Sequence, residues 1–470
     1  MDGKKTPAEM VSWLKSEVAQ MMQEKILATV EGKREEITQL LTTLIRIPSL
    51  TGEEGEAQDF LAKQYRDMKL DVEVWEPDVE ELFDKFPDVA QYPSHWEHDL
   101  VLPYHELPTY EDLLKSEFRD VLNYKDRPNV VGIWKGTGGG RSLILNGHID
   151  TVPVEPRDEW THDPFGAEII NGTMYGRGTS DNKGGIIAAL AAVRCLRELG
   201  ITMRGDVILE SVVNEEHAGN GTLACIARGY TADTAISGEP SQNKVRLGAY
   251  GGVYWGVNLT GRVLHTKGRW DGSVQKGISA IEKLSNIIPS LLELESHQNK
   301  KPVSGFYAGK MPFSMNIGRV WGGSYDTASA GSCSLRGSIY FGPDIGSVKG
   351  VMDSVTQYLR EAAEKDLWLR ENPPEVLFYH HDDSYRVNPE SEIVKTVLES
   401  GERALGREVE IMAGIGANDS RHLVNQAKIP AVVFGPGGLD QSHTIDESIQ
   451  IEDVIANVKA LALAIYSWCD

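Results

Sequence analysis

The chain has 470 residues, 41% hydrophobic and 25% charged, a soluble globular balance too long for one ordinary core, so two to three domains are expected. A formal net charge of -22 disfavours nucleic acid and anionic membranes as partners and favours cations. Cys195, Cys225, Cys333 and Cys469 form no CxxC pair, and no apolar run is long enough to span a membrane, so free thiols and a cytoplasmic location are expected.

Residues 7–46 carry apolar side chains at helical spacing, first Met10, Trp13, Leu14, Val18 and Met21, later Ile37, Leu40, Leu41 and Leu44. This predicts two helices, the second ended by Pro48. Residues 53–68 read as another amphipathic helix, and 71–75 alternate as a strand does. Residues 76–120 hold thirteen Asp or Glu against three Lys or Arg, a net of -10, together with aromatics from Phe83 to Phe118. That many aromatics argues for an ordered insertion, packed on the core or near a partner subunit. Residues 129–134 and 142–145 are short strand candidates. The glycine cluster at 135–140 lacks the Gly-Lys-Ser/Thr ending and following helix of a phosphate cradle, so it reads as their hairpin loop. An alanine-rich helix spans 184–199, and 207–213 is a near-continuous apolar strand, as in parallel sheets. The alternation from 130 to 240 predicts an α/β fold: a mostly parallel sheet with helices on both faces.

Near Gly251 the pattern changes. A strand at 253–259, a helix at 277–294, strands around 313–320 and 331–341 and a helix at 347–367 describe a smaller α+β domain inserted into the first. The larger domain is expected at 1–251 and 369–470, the smaller at 252–368. Residues 429–437 read as a further core strand ending in a loop.

The residues able to do chemistry follow these strand-like runs. His148 and Asp150 follow one run, Asp181 lies in a glycine-rich turn, and Glu215 and Glu216 follow the strand at 207–213. Glu239 precedes Pro240, and His443 lies in a late loop. Strand ends in an open α/β sheet share one crevice. A metal-bound histidine donates its other ring nitrogen to a carboxylate or carbonyl, and Asp150 stands two residues from His148. Asp181 suits a helix N-cap, and its two oxygens also suit a bridge between cations. Adjacent side chains diverge, so one of Glu215 and Glu216 can ligate while the other serves as base. Two cations held this way polarise a carbonyl and lower the pKa of a bridging water, and a non-ligand glutamate moves the proton. Nothing in the chain matches a nucleophilic serine elbow.

The motifs Gly147-His148-Ile149-Asp150-Thr151-Val152-Pro153, Gly176-Arg177-Gly178-Thr179-Ser180-Asp181-Asn182-Lys183-Gly184-Gly185, Asn214-Glu215-Glu216 and Phe434-Gly435-Pro436-Gly437 with His443 carry a resemblance. They resemble the acetylornithine deacetylase, succinyl-diaminopimelate desuccinylase and aminoacylase family of dinuclear zinc deacylases and exopeptidases, over most of the chain from Leu44 onward. The resemblance implies that His148 and Glu239 bind one zinc, Glu216 and His443 the other, and Asp181 both, with cobalt as a possible substitute. It makes Glu215 the general base and Asp150 the partner of His148, and it implies a cis peptide after Asp181. The smaller domain becomes a lid and dimerisation surface of a homodimer. His265, in Gly261-Arg262-Val263-Leu264-His265, would reach the partner's site and stabilise the oxyanion. Asn316 and Arg336 fall where the family contacts substrate, and an arginine there suits a bidentate hold on a carboxylate. Three features depart from the family pattern: Thr266-Lys267-Gly268-Arg269-Trp270 after His265, Asn418 before Asp419, and the long 76–120 insertion. The expected function is hydrolysis of the amide bond of an N-acyl amino acid. A dipeptidase or carboxypeptidase is the alternative, and a non-enzymatic binding protein on the same fold a further one.

Overall fold

Two sheets organise the chain, in a computed structural model that describes residues 7–89, 124–414 and 416–470. In chain order their strands are β1 (Asp71–Trp75), β2 (Asn129–Trp134), β3 (Leu143–His148), β4 (Val207–Val212), β5 (Thr234–Pro240) and β6 (Val245–Arg246). There follow β7 (Gly251–Thr260), β8 (Phe313–Gly322), β9 (Ser332–Phe341), β10 (Glu375–Asp382), β11 (Ile411–Met412) and β12 (Ala431–Gly435). The larger sheet runs β1-β2-β4-β3-β5-β12-β6-β11. Its centre, β4-β3-β5-β12, is parallel throughout, and β1 and β2 close one side antiparallel. The smaller sheet, β8-β9-β7-β10, is antiparallel.

Every residue of β3, β4, β5 and β12 is buried, because helices cover both faces. Alternate side chains show this. Leu143, Leu145, Val207, Leu209, Ile236 and Val432 pack with the helices Gly184–Glu198 and Ile451–Cys469. Ile144, Ile208, Val212 and Ala235 point the other way, toward Cys225 and Leu423. At the N-terminus the helices Pro7–Gly32 and Arg34–Ile45 form as predicted; among the described side chains of the first, which exclude Met10, Trp13 and Leu14, Ile26 and Val30 are buried, while Val18 and Met21 face solvent. Of the acidic insertion, the helix Val79–Lys85 is capped by Asp78, whose Oδ1 accepts from the Glu81 amide at 3.1 Å. It buries Leu82 against Leu223 and Ala224. The remainder of the predicted insertion, 90–120, lies outside the described residues.

The predicted hairpin between 129–134 and 142–145 does not form. β4 lies between the two strands, pairing antiparallel with β2 and parallel with β3. The glycine cluster packs instead on the segment leading into β4, where the Thr137 amide donates to the Met203 carbonyl and Gly138 to that of Arg204, both at 2.9 Å. In the smaller sheet, Val253, Trp255, Leu335 and Ile339 pack on Leu291, Val355 and Leu359 of the helices Leu284–Gln298 and Val348–Glu364. The first helix starts later than predicted, because Ile278 bridges to Arg262 and turns follow. β10 joins this sheet through β7, past residue 368.

One buried charge in β4 has a measurable consequence. Burial pushes the Glu210 carboxyl up to about 7, against one hydrogen bond from Asn146 Nδ2 at 3.0 Å. The folded state therefore holds a proton that the unfolded state releases above pH 4.5. That contribution is intact below pH 4.5 and is lost as pH rises through about 7. Glu210→Gln removes the titration. Its stability relative to the parent should rise by about 2 kcal/mol between pH 5.5 and pH 8. Urea unfolding at both pH values measures this, and a pH-independent difference would contradict it.

Candidate active site

Because β4, β3, β5 and β12 are parallel, they end at one edge, and their last residues and loops meet there. His148 is the last residue of β3. Its Nε2 lies 3.1 Å from Asp181 Oδ1, 3.4 Å from Glu239 Oε1 and 3.9 Å from Glu215 Oε2. Its Nδ1 lies 2.9 Å from the Asp150 carbonyl oxygen and 3.6 Å from the Asp150 carboxylate. The carbonyl is thus the ring's nearer partner. The carboxylate accepts from the backbone amides of Glu215 at 3.0 Å and Glu216 at 3.1 Å, and from the Thr51 hydroxyl at 3.0 Å. It fixes the turn that carries the glutamate pair. Asn214 opens that turn with φ 66°. Arg127 donates to Asn214 Oδ1 at 3.0 Å and makes two 2.7 Å bonds to the buried Glu54 carboxylate.

Asp181 does not cap the helix that follows, which has Lys183 at its N-cap position and no side-chain cap. The peptide from Asp181 to Asn182 is cis. Glu447 holds the preceding backbone from below. Its Oε1 accepts from the amides of Ser180 at 2.8 Å and Asp181 at 3.0 Å. Its Oε2 accepts from the Gly178 amide at 2.9 Å and from Arg177 at 2.8 Å. Asn182 Nδ2 donates to Glu239 Oε1 at 2.7 Å. Gly185, at the start of the helix, lies so close to β5 that a Cβ would collide with the Gly238 carbonyl oxygen. From the far end of the chain, His443 brings its Nε2 to 3.0 Å from Glu216 Oε2 and 3.7 Å from Asp181 Oδ2.

Five carboxylates, of Asp150, Asp181, Glu215, Glu216 and Glu239, thus crowd around two imidazoles. Burial holds Glu215 well above the usual carboxylate range, reinforced by Glu239 and Glu216. Burial likewise pushes Glu239 up to about 8, with Asp181 adding to it, and raises Glu216. His443 is raised to about 9 by its bond to Glu216. Burial alone would lower His148, but Glu239, Asp150 and Asp181 together hold it well above its ordinary value. Burial and the crowding of like charges together set these shifts. Glu216 Oε1 is buried with no hydrogen-bond partner. His148, Asp181 and Glu216 offer ligand atoms within 4.8 Å of one another. Imidazole nitrogens and carboxylate oxygens in this arrangement suit divalent cations.

The other predicted residues are elsewhere. His265 is exposed, and its Nδ1 accepts from the Lys267 amide at 3.1 Å. Asn316 is exposed on β8. Arg336 on β9 donates to Asn258 Oδ1 at 3.0 Å and lies over the Trp321 ring at 5.0 Å. None of the three lines the cavity of about 350 Å³ at the acid cluster. Residues not foreseen do line it: Arg246, His380, Asp382 and Arg421. Glu447 was also not foreseen. Its sequence signal is slight, an acid four residues past His443.

A parallel α/β sheet thus gathers histidines and carboxylates able to hold a metal ion at its strand ends. Residues 144–467 match peptidase family M20/M25/M40, and the chain belongs to that family. It is a hydrolase of carbon–nitrogen bonds. It is 34% identical over 364 residues to N-formyl-4-amino-5-aminomethyl-2-methylpyrimidine deformylase of Halalkalibacterium halodurans, covering 74% of this chain and 84% of the relative. It is 28% identical over 349 residues to succinyl-diaminopimelate desuccinylase 2 of Ruegeria sp., covering 70% and 80%. In fold it is similar to a dinuclear metal binding M20 peptidase of Bacillus subtilis, with a TM-score of 0.60 at 14% identity, covering 93% and 99% of the two chains. Among the described residues no helix is long and apolar enough to cross a membrane.

Proposed function

We propose that the chain is a two-zinc deacylase that cleaves the amide bond of an N-acyl amino acid. The observation that carries this is the placement of Asp181, with His148 and Glu239 on one side and His443 and Glu216 on the other. In this reading His148 and Glu239 hold one cation, Glu216 and His443 the second, and Asp181 both. Bound there, two cations polarise a carbonyl and make a water nucleophilic near neutral pH. Glu215 lies beside this set without belonging to it. It takes the proton of the attacking water and returns it to the leaving nitrogen as the C–N bond breaks. Asp150 and Arg127 keep Glu215 in place through the turn described above. The relatives named a deformylase and a desuccinylase support removal of a small acyl group.

The smaller sheet serves as lid and dimerisation surface, and His265, exposed in the loop that follows β7, steadies the oxyanion of a partner subunit in a homodimer. Asn316 and Arg336 contact substrate only once the lid has moved. Incubating the zinc-supplied protein with acetyl-amino acids, a formyl-aminopyrimidine and dipeptides tests the reading. Release of free amine chiefly from the acetyl-amino acids supports it, and preferential cleavage of dipeptides would replace it by the peptidase alternative. His148→Ala should lower the bound metal by about one equivalent or more, read by elemental analysis, because a metal site rarely tolerates loss of an imidazole ligand. Full metal content in that variant would remove His148 from the ligand set.

A further inference from the structure

The cavity has a wall that the proposed reaction leaves unused. Its lining passes from Glu215, Glu216 and Glu239 to Arg246, His380 and Arg421. Arg421 is already neutralised, 3.0 Å from Asp382 and 3.7 Å from Asp419. Arg246 is not. It is only 1% exposed, on β6 beside Val433 of β12. Its Nη1 donates to the Pro240 carbonyl at 3.2 Å and its Nη2 to the Gly416 carbonyl at 3.3 Å, while its Nε is buried with no partner. Glu239 feels its charge without touching it, and Arg246 has no ion-pair partner among the described residues. A guanidinium offers five donors in a fixed plane. Burying one without a paired anion is strongly unfavourable, and among the described residues the two carbonyls hold a cation that no carboxylate contacts. His380 enters from β10 on the other sheet. Its Nε2 lies 2.8 Å from Asp382 Oδ2, and its ring lies 5.2 Å from that of Tyr254.

We propose that Arg246, flanked by His380, is the subsite for a carboxylate carried by the substrate. This rests on the amide-hydrolase reading and adds to it a second anchor, on the catalytic sheet rather than at Arg336. Arg246 is bonded to the residue next to Glu239, so one small molecule can place an amide at the acid cluster and an anion at the guanidinium. The carboxylate can belong to the amine portion or to the acyl portion. Both present the same planar, two-oxygen group, which a guanidinium holds bidentately.

Calorimetric binding to the zinc-loaded Glu215→Gln protein, which retains the cavity but turns over poorly, tests this without relying on activity. Three ligands suffice: N-acetylleucine, its decarboxylated counterpart N-isopentylacetamide, and N-isopentylsuccinamic acid, which carries the carboxylate on the acyl side. At least one acid should bind about tenfold or more tighter than the neutral amide, and the preferred acid identifies the side. Adding Arg246→Met should bring the preference to within about twofold, and Arg246→Lys should keep only part of it. His380→Asn should cause a smaller loss. Equal binding of all three ligands, or a preference unchanged in Arg246→Met, overturns the proposal. If Arg246→Met does not fold, an undiminished preference in Arg246→Lys and in His380→Asn overturns it equally. Failure of the unsubstituted protein to hydrolyse any of the three counts against the deacylase reading alone, since the binding comparison stands apart from turnover.

Discussion

Glu215→Gln should lower turnover by about two to four powers of ten while the bound metal stays constant. The side chain of Glu215 lines the cavity and approaches His148 no closer than 3.9 Å, farther than Asp181 or Glu239. Its position is set through its backbone, whose amide donates to Asp150 at 3.0 Å. Glutamine keeps that bond and the side-chain volume, so it removes only the capacity to accept and return a proton. The geometry around His148, Asp181, Glu216, Glu239 and His443 then has no reason to change. Initial rates on an acetyl-amino acid and elemental analysis of the same sample check both halves. Unchanged turnover would deny Glu215 its role as base. Loss of metal along with turnover would make it a ligand instead.

The strand ends were legible because apolar runs are. β3, β4 and β12 each begin with an apolar run, and the residues at or past the ends of those runs, His148, Glu215 with Glu216, and the His443 loop, stand out against them, whereas β5, Thr234–Pro240, is too mixed to read as a strand. Neighbour relations were not legible in the same way. The short apolar stretches at 129–134 and 142–145 report strands but are silent on β4, which pairs with both from some seventy residues away. The N-cap reading of Asp181 failed for a related reason. Its carboxylate is drawn to His148, a contact between distant segments that outweighs local capping. Arg246 was invisible because a charged residue in a short strand ordinarily faces water, and only the packing of Pro240 and Gly416 around it shows otherwise. His265, Asn316 and Arg336 came from family resemblance alone, and none of them lines the cavity.

Glu447→Ala should destabilise the protein by about 3–5 kcal/mol and weaken its hold on metal at the same time. The substitution leaves three amides without an acceptor, those of Gly178, Ser180 and Asp181, and takes the only carboxylate among the described residues from the Arg177 guanidinium, which keeps just the Thr444 and Pro153 carbonyls. Arg177 and Glu447 are both buried, their side chains 4% and 1% exposed, so the orphaned charge cannot turn to water. The same four bonds fix the backbone that aims Asp181 between His148 and His443. Metal binding stabilises a fold by an amount that grows with affinity. The gain in urea midpoint on adding zinc to the stripped protein should therefore be smaller in Glu447→Ala than in the parent. A second variant separates the two effects. Arg177→Met combined with Glu447→Leu removes both charges and should recover part of the stability, since replacing a buried pair by apolar side chains is far less costly than breaking it. It restores no acceptor pair for the amides of Ser180 and Asp181, so the diminished response to zinc should persist. Recovery of stability and zinc response together would show that Glu447 acts only through its ion pair, and that the aim of Asp181 is set elsewhere.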